Sequence, residues 1–244
     1  MAELHPRTMA QGADRAVIDQ GLRAYMLRVY NYMAIGLGIT GLAAYFIFSA
    51  AFDASGAPTQ LGLTLYASPL KWLVILAPLG MVMFLSFGIN RLSVSAAQIL
   101  FWAYAAMVGV SLASLGAIYT GQSITRVFFV TAASFGALSL WGYTTKRDLT
   151  GMGSFLFMGL IGIIIASLVN LFMASSALQF VISVVGVMVF AGLTAYDTQK
   201  IKNMYYEADD ATTAGRKAIM GALALYLDFI NLFIMLMQLL GNRR

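Results

Sequence analysis

Seven apolar stretches, each close to the ~20 residues a helix needs to cross a bilayer core, follow one another along this chain with little between them. They fall at 29–51, 70–90, 95–119, 126–144, 151–173, 177–199 and 218–240. Lipid offers a peptide group no hydrogen-bond partner, so such segments cross as helices that satisfy their own backbone. The spacing therefore predicts an all-α polytopic membrane protein, a bundle of seven transmembrane helices. Most links are short, and only Phe52–Pro69 and Lys200–Lys217 are roomy. Pro78 in the second span is tolerable in a packed bundle, and Gly80 beside it makes a kink plausible. Small residues recur four apart at Gly109/Ala113, Ala132/Gly136 and Gly162/Ala166, a spacing that lets helix backbones approach closely. Composition agrees with a lipid-facing surface. Charged residues make up 10% of the chain, against roughly 25% in a soluble domain.

Residues 1–28 carry charges throughout and no apolar block, so they read as a cytoplasmic tail running into an interfacial helix rather than a signal peptide. The transmembrane domain occupies 29–244. Orientation follows from the basic residues. With the amino terminus inside, Arg7, Arg15, Arg23, Arg28, Arg91, Lys146, Arg147, Lys200, Lys202, Arg216 and Lys217 lie in inner segments. Only Lys71, Arg126, Arg243 and Arg244 lie in outer ones, which places the carboxyl terminus outside. A re-entrant last segment would return the final two arginines to the inner side. The net charge of +5 is scattered over loops and does not point to nucleic acid.

Cysteine is absent and His5, in the tail, is the sole histidine. Cys/His zinc sites, HExxH metalloprotease chemistry, thiol catalysis and a Ser–His intramembrane protease are all excluded by that. No resident cofactor is expected. What remains is acid chemistry. Eight of the ten acidic residues fit tails or loops. Asp228 instead sits near the middle of the last span, ~15 Å along the helix from Ala218. An ionised Asp there costs at least about 2.5–3.5 kcal/mol, so it needs a partner on another helix, a wet cavity, or its proton. Asp197 lies near the inner end of span six. Its bland reading is a local pair with Lys200 or Lys202; the other is a meeting with Asp228, because consecutive helices joined by one inner loop are usually neighbours. Two carboxyls in contact cannot both ionise easily, so the pair would share a proton and titrate in two macroscopic steps. Asn231 shares the helix face of Asp228 and is a candidate support. Arg91, at the inner end of span two, reads equally as a topology marker or as a cation able to reach the pair.

Three long blocks resemble the Bax inhibitor family, the transmembrane Bax-inhibitor-motif proteins, and especially its bacterial branch. They are FGALSLWGYTTKRDLTGMGSFLFMGLIGIIIASLVN, VFAGLTAYDTQKIK and ALALYLDFINLFIMLMQLLG, within a likeness running from about Tyr25 to Gly241. The resemblance implies a seven-helix bundle with the last helix central, in a bacterial inner membrane. It also implies a pH-sensitive calcium leak with an aspartate pair on helices six and seven, Asp197 and Asp228 here, latched by an arginine on helix two, plausibly Arg91. Calcium would then be the permeant ion, bound weakly and transiently by the two acids. Some bacterial members are linked instead to a membrane-anchored ATP-dependent protease, which makes a non-conducting modulator of such a protease the alternative. An intramembrane aspartyl protease would also use paired aspartates, one after a tyrosine as in Tyr196-Asp197. That family's second motif, Gly-x-Gly-Asp, is replaced here by Leu-Tyr-Leu-Asp at 225–228, and no enzymatic activity is expected.

Overall fold

A computed structural model describes the backbone of residues 4–53 and 55–244 and the side chains of residues 18–53 and 55–244. The side chains of His5, Arg7, Asp14 and Arg15, and the whole of Glu3, lie outside the described residues. The main helices are α1 (Leu4–Ala51), α2 (Lys71–Gly88), α3 (Val94–Leu112), α4 (Gly121–Thr144), α5 (Thr150–Met173), α6 (Ser176–Asn203) and α7 (Ala211–Leu240). Each contains or begins a stretch long and apolar enough to cross a membrane, so the seven-span helical bundle stands as expected.

Hydrogen bonding explains where these helices begin. A helix leaves its first N–H groups unpaired, and a side-chain oxygen just ahead of it answers one or two of them. Ser93, Thr120 and Ser175 cap α3, α4 and α6 by accepting from the N–H groups of Ala96, Ser123 and Leu178. Asp210 caps α7 by accepting from Thr212 and Thr213. Because of that cap, α7 starts seven residues ahead of the apolar run expected at 218. Arg216 and Lys217 then sit inside the helix: Arg216 Nε donates to the Leu92 carbonyl at 2.9 Å, and Lys217 pairs with Asp209. No break occurs at residue 28 either. Tyr25, Met26, Val29 and Met33 are buried along one face of α1, while Arg23 and Arg28 face outward. Pro78 cannot donate to the carbonyl of Val74, one turn back, and the Ser111 hydroxyl of α3 donates to that carbonyl at 2.6 Å instead.

α7 is the axis of the molecule. It packs on α1, α3, α4 and α6, and more than half of its most apolar stretch is buried, the largest share of any span. α2 packs outside on α3, and α5 outside on α6. Phe87, Leu171 and Phe172 point outward, as side chains facing acyl chains do. Tyr226 of α7 is fully buried and ties three helices together: its hydroxyl lies 2.6 Å from Thr40 Oγ1, which is itself 2.8 Å from the Ala105 carbonyl. Of the small-residue pairs, Gly109 lies against the α1 backbone at Thr40 and Ala44, the close approach the spacing suggested. Gly136 and Gly162 face open space, with no protein atom near the position of a Cβ.

Contacts at both ends of the bundle fix the crossing pattern. Tyr119, between α3 and α4, bridges to Arg243, and the Thr120 N–H donates to the Asn242 carbonyl at 3.2 Å. Arg244 lies over the ring of Phe48 at the far end of α1. Opposite them, the ring of Tyr205, in the α6–α7 loop, lies tilted against that of Tyr25. α7 therefore runs from the Tyr25 end of the bundle to the Phe48 end: it crosses and does not re-enter.

Candidate functional site

Asp197 and Asp228 come together because of the antiparallel register of α6 and α7. Two contacts mark it: Gly221 lies against Ile201, and Gly186 against Met235. In this register Asp197 and Asp228 differ in level by about one helical turn, and side chains on facing stripes bridge such an offset. Their carboxyls lie within hydrogen-bonding reach of each other. Asp228 is only 4% exposed, and its Oδ2 has no hydrogen-bond partner. Asp197 is half-buried. This is the meeting of acids expected from their chain positions.

The pair lines an open cavity of about 640 Å³ between α5, α6 and α7. Leu160, Phe190, Leu193 and Leu227 make most of its wall apolar, and the exposed Phe157, Met158 and Lys200 border it. Asn231 lines the same cavity, as expected, but its amide donates to the Leu227 carbonyl of its own helix at 2.9 Å rather than to a carboxyl. Gly153 of α5 lies against the ring of Tyr196, and the space a side chain would take there is filled by that ring.

Arg91 is not at the pair. It ends a short 3-10 turn, Ile89–Arg91, is exposed, and does not line the cavity. The reason is the packing of span two, which lies against α3 and meets α7 only near its start, where Arg216 holds the Leu92 carbonyl. From Arg216 to Asp228 is ~18 Å along the helix. The latch drawn from the resemblance is therefore not formed in this conformation. The cation that does border the cavity is Lys200, one turn after Asp197, with its ammonium 5.8 Å from the centroid of the Tyr196 ring. It makes no salt bridge to Asp197; among the described residues the one salt bridge is Lys217–Asp209. Lys202 is turned away, donating to the Tyr143 carbonyl at 2.8 Å over that residue's ring. Lys200 at the mouth was missed as a site residue, although its three-residue spacing from Asp197 was the signal that pointed to it.

What can this arrangement do? Two carboxyls and one amide fall well short of the 6–8 oxygens of a tight calcium site. Among the described residues no cluster of three or more His, Cys, Asp or Glu could hold a metal ion.

Comparison with known proteins gives the family. Residues 22–244 match the family model described as inhibitor of apoptosis-promoting Bax1. The inner membrane protein YbhL of Escherichia coli is 47% identical over 226 residues, covering 92% of this chain and 94% of its own. A Rickettsia prowazekii protein is 49% identical over 240 residues, 98% of each chain. One from Caulobacter vibrioides is 45% identical over 236 residues, 95% of this chain and 94% of its own. With a family match over nearly its whole length and relatives this similar from end to end, the chain is a member of the Bax inhibitor family.

Proposed function

We propose that this protein is a pH-sensitive cation leak, with calcium as the permeant ion, in the inner membrane of a bacterium. The membrane assignment follows the similarity to YbhL, and calcium follows the family resemblance. One observation carries the reading: Asp228, buried beside Asp197 in a cavity between helices, with a carboxyl oxygen that no protein group satisfies. An intramembrane acid facing a cavity marks an ion pathway or a proton site. Two acids in contact hold one proton between them at little cost, whereas both ionised would repel at short range in an apolar setting. The pair therefore changes charge by one proton as pH changes, and its attraction for a cation changes with it. Weak ligation serves conduction, since an ion that enters must also leave.

The test uses purified protein in calcium-loaded liposomes, with efflux followed across pH. Asp197→Asn and Asp228→Asn should each abolish the pH dependence and change the flux. Wild-type flux and pH profile in both variants would falsify the reading.

A further inference from the structure

α1 and α4 stand side by side on α7 and scarcely pack on each other. Among the described residues one hydrogen bond, between Tyr30 and Ser139 at 2.6 Å, crosses the gap between them. Toward the far end of α1 the gap opens into a cavity of about 530 Å³, walled by Gly41, Phe48, Leu115, Phe128 and Phe233, with Arg244 also lining it. A second cavity, of about 640 Å³, carries the gap on toward Arg23 and shares Leu37 and Phe229 with the first. From Arg23 to Phe48 the helix climbs ~38 Å. The groove therefore runs the depth of a bilayer core, roughly 30 Å.

Two features say what belongs in the upper half of this groove. Its wall is almost entirely apolar, and Gly41 leaves room there that no atom of the described residues enters. A glycine inside a helix costs ~1 kcal/mol against alanine, and the space it opens has no user among the described residues. At ~530 Å³ the cavity falls in the usual range of small-molecule sites, roughly 300–1,000 Å³. The second feature is charge. The Arg244 guanidinium lies over the Phe48 ring, 5.7 Å from its centroid, and Arg126 and Arg243 are exposed at the same end. The acid of that end, Asp53, spends its carboxylate on the N–H groups of Ser55 and Ala57 and on the Ser55 hydroxyl. An apolar slot under a cluster of arginines complements a chain attached to an anionic head.

We propose that the groove between α1 and α4 is a lipid site, taking one acyl chain of an anionic glycerophospholipid whose phosphodiester rests on Arg244. α7 is the wall shared with the acid pocket: Phe229 faces the groove, and its neighbour Asp228 faces the other way. The assignment does not depend on conduction, and its test reads binding alone.

Native mass spectrometry of the detergent-purified protein, titrated with dioleoyl phosphatidylglycerol or dioleoyl phosphatidylcholine, separates head from chain. The protein should hold one phosphatidylglycerol about fivefold more tightly than phosphatidylcholine, the attraction of one basic side chain for acidic lipid. Arg244→Ala should erase that preference, and Gly41→Phe should weaken both lipids. Equal retention of the two lipids by the unaltered protein, or unchanged binding by Gly41→Phe, overturns the proposal. A diazirine-bearing phosphatidylglycerol added to the unaltered protein removes any dependence on variant folding. Adducts should concentrate on Phe48, Leu115 and Phe128, and adducts spread evenly over the outer faces of α2 and α5 would also overturn it.

Discussion

In the proposed leak an arriving cation meets Lys200, which borders the cavity that Asp197 and Asp228 line. Its ammonium competes with that cation for the two carboxyls, although an exposed charge is screened and acts by about 1 kcal/mol at most. Terbium(III), a luminescent stand-in for calcium, is sensitised by tyrosine, and Tyr196 lines the same cavity. Lys200→Met should therefore tighten terbium binding by up to about fivefold, while Asp228→Asn should remove the signal. Unchanged affinity in the methionine variant would mean that Lys200 does not guard the site. A second residue-scale outcome concerns Tyr226. Thr40 has one hydroxyl proton, and a carbonyl stands ready for it at Ala105, so Tyr226 is the donor in their 2.6 Å contact. Tyr226→Phe deletes that donor and leaves Thr40 its carbonyl, so thermal unfolding in detergent should report a loss of about 1 kcal/mol. Asp228 itself was legible in the sequence because an acid amid apolar residues has no local partner. Arg91 was misleading because reach depends on which helices pack together, and span two packs away from the acids.

Helix spacing in this bundle rests on particular glycines. A Cβ at Gly142 of α4 would run into the Ala195 carbonyl of α6, a backbone group that cannot step aside. Gly142→Ala should cost about 1–3 kcal/mol, the usual size of overpacking. Gly136→Ala, on the same helix but facing open space, should stay within about 0.5 kcal/mol. Comparable unfolding midpoints for the two would refute the close approach of α4 and α6. The start of α7 makes a different claim, about pH. The Thr213 hydroxyl, and after it the N–H groups of Thr213 and Thr212, hold the Asp210 carboxyl below the usual carboxylate range. A carboxyl depressed on folding stabilises the fold fully above its unfolded value of about 3.9, and the benefit is lost as pH falls through the lower folded value. Protection factors of the amides at the beginning of α7, taken relative to the unstructured rate at each pH, should fall below about pH 4, and Asp210→Ala should show the same fraying at neutral pH. The spans themselves were readable from apolar length. Their ends were not, because Arg216 and Lys217 look like loop charges until Leu92 and Asp209 are seen to receive them. The groove between α1 and α4 was hidden for a related reason: Ala132 and Gly136 have the spacing of a packed interface, and only the fold shows Gly136 with no partner.

At the scale of the whole molecule, packing and charge answer different halves of one question. Packing says which ends share a side: the 52–59 loop, the α3–α4 turn and the end of α7 meet through Phe48, Tyr119, Arg243 and Arg244. Charge predicts which side that is: 11 of the 15 basic residues fall in the other set of segments, and basic segments favour the cytoplasm. Because the chain has no cysteine, single cysteines can report each position without background. Ala57→Cys, Gln122→Cys and Asn242→Cys lie at exposed positions on the shared side, and Glu207→Cys lies on the opposite one. In sealed right-side-out vesicles, a membrane-impermeant maleimide should label the first three and should reach Glu207→Cys only after permeabilisation. If Asn242→Cys behaved like Glu207→Cys, α7 would have to turn back within the bilayer, contrary to its contacts at both ends. Inverted labelling of all four would leave the helix packing intact and overturn the charge argument alone, so one experiment tests the two inferences separately.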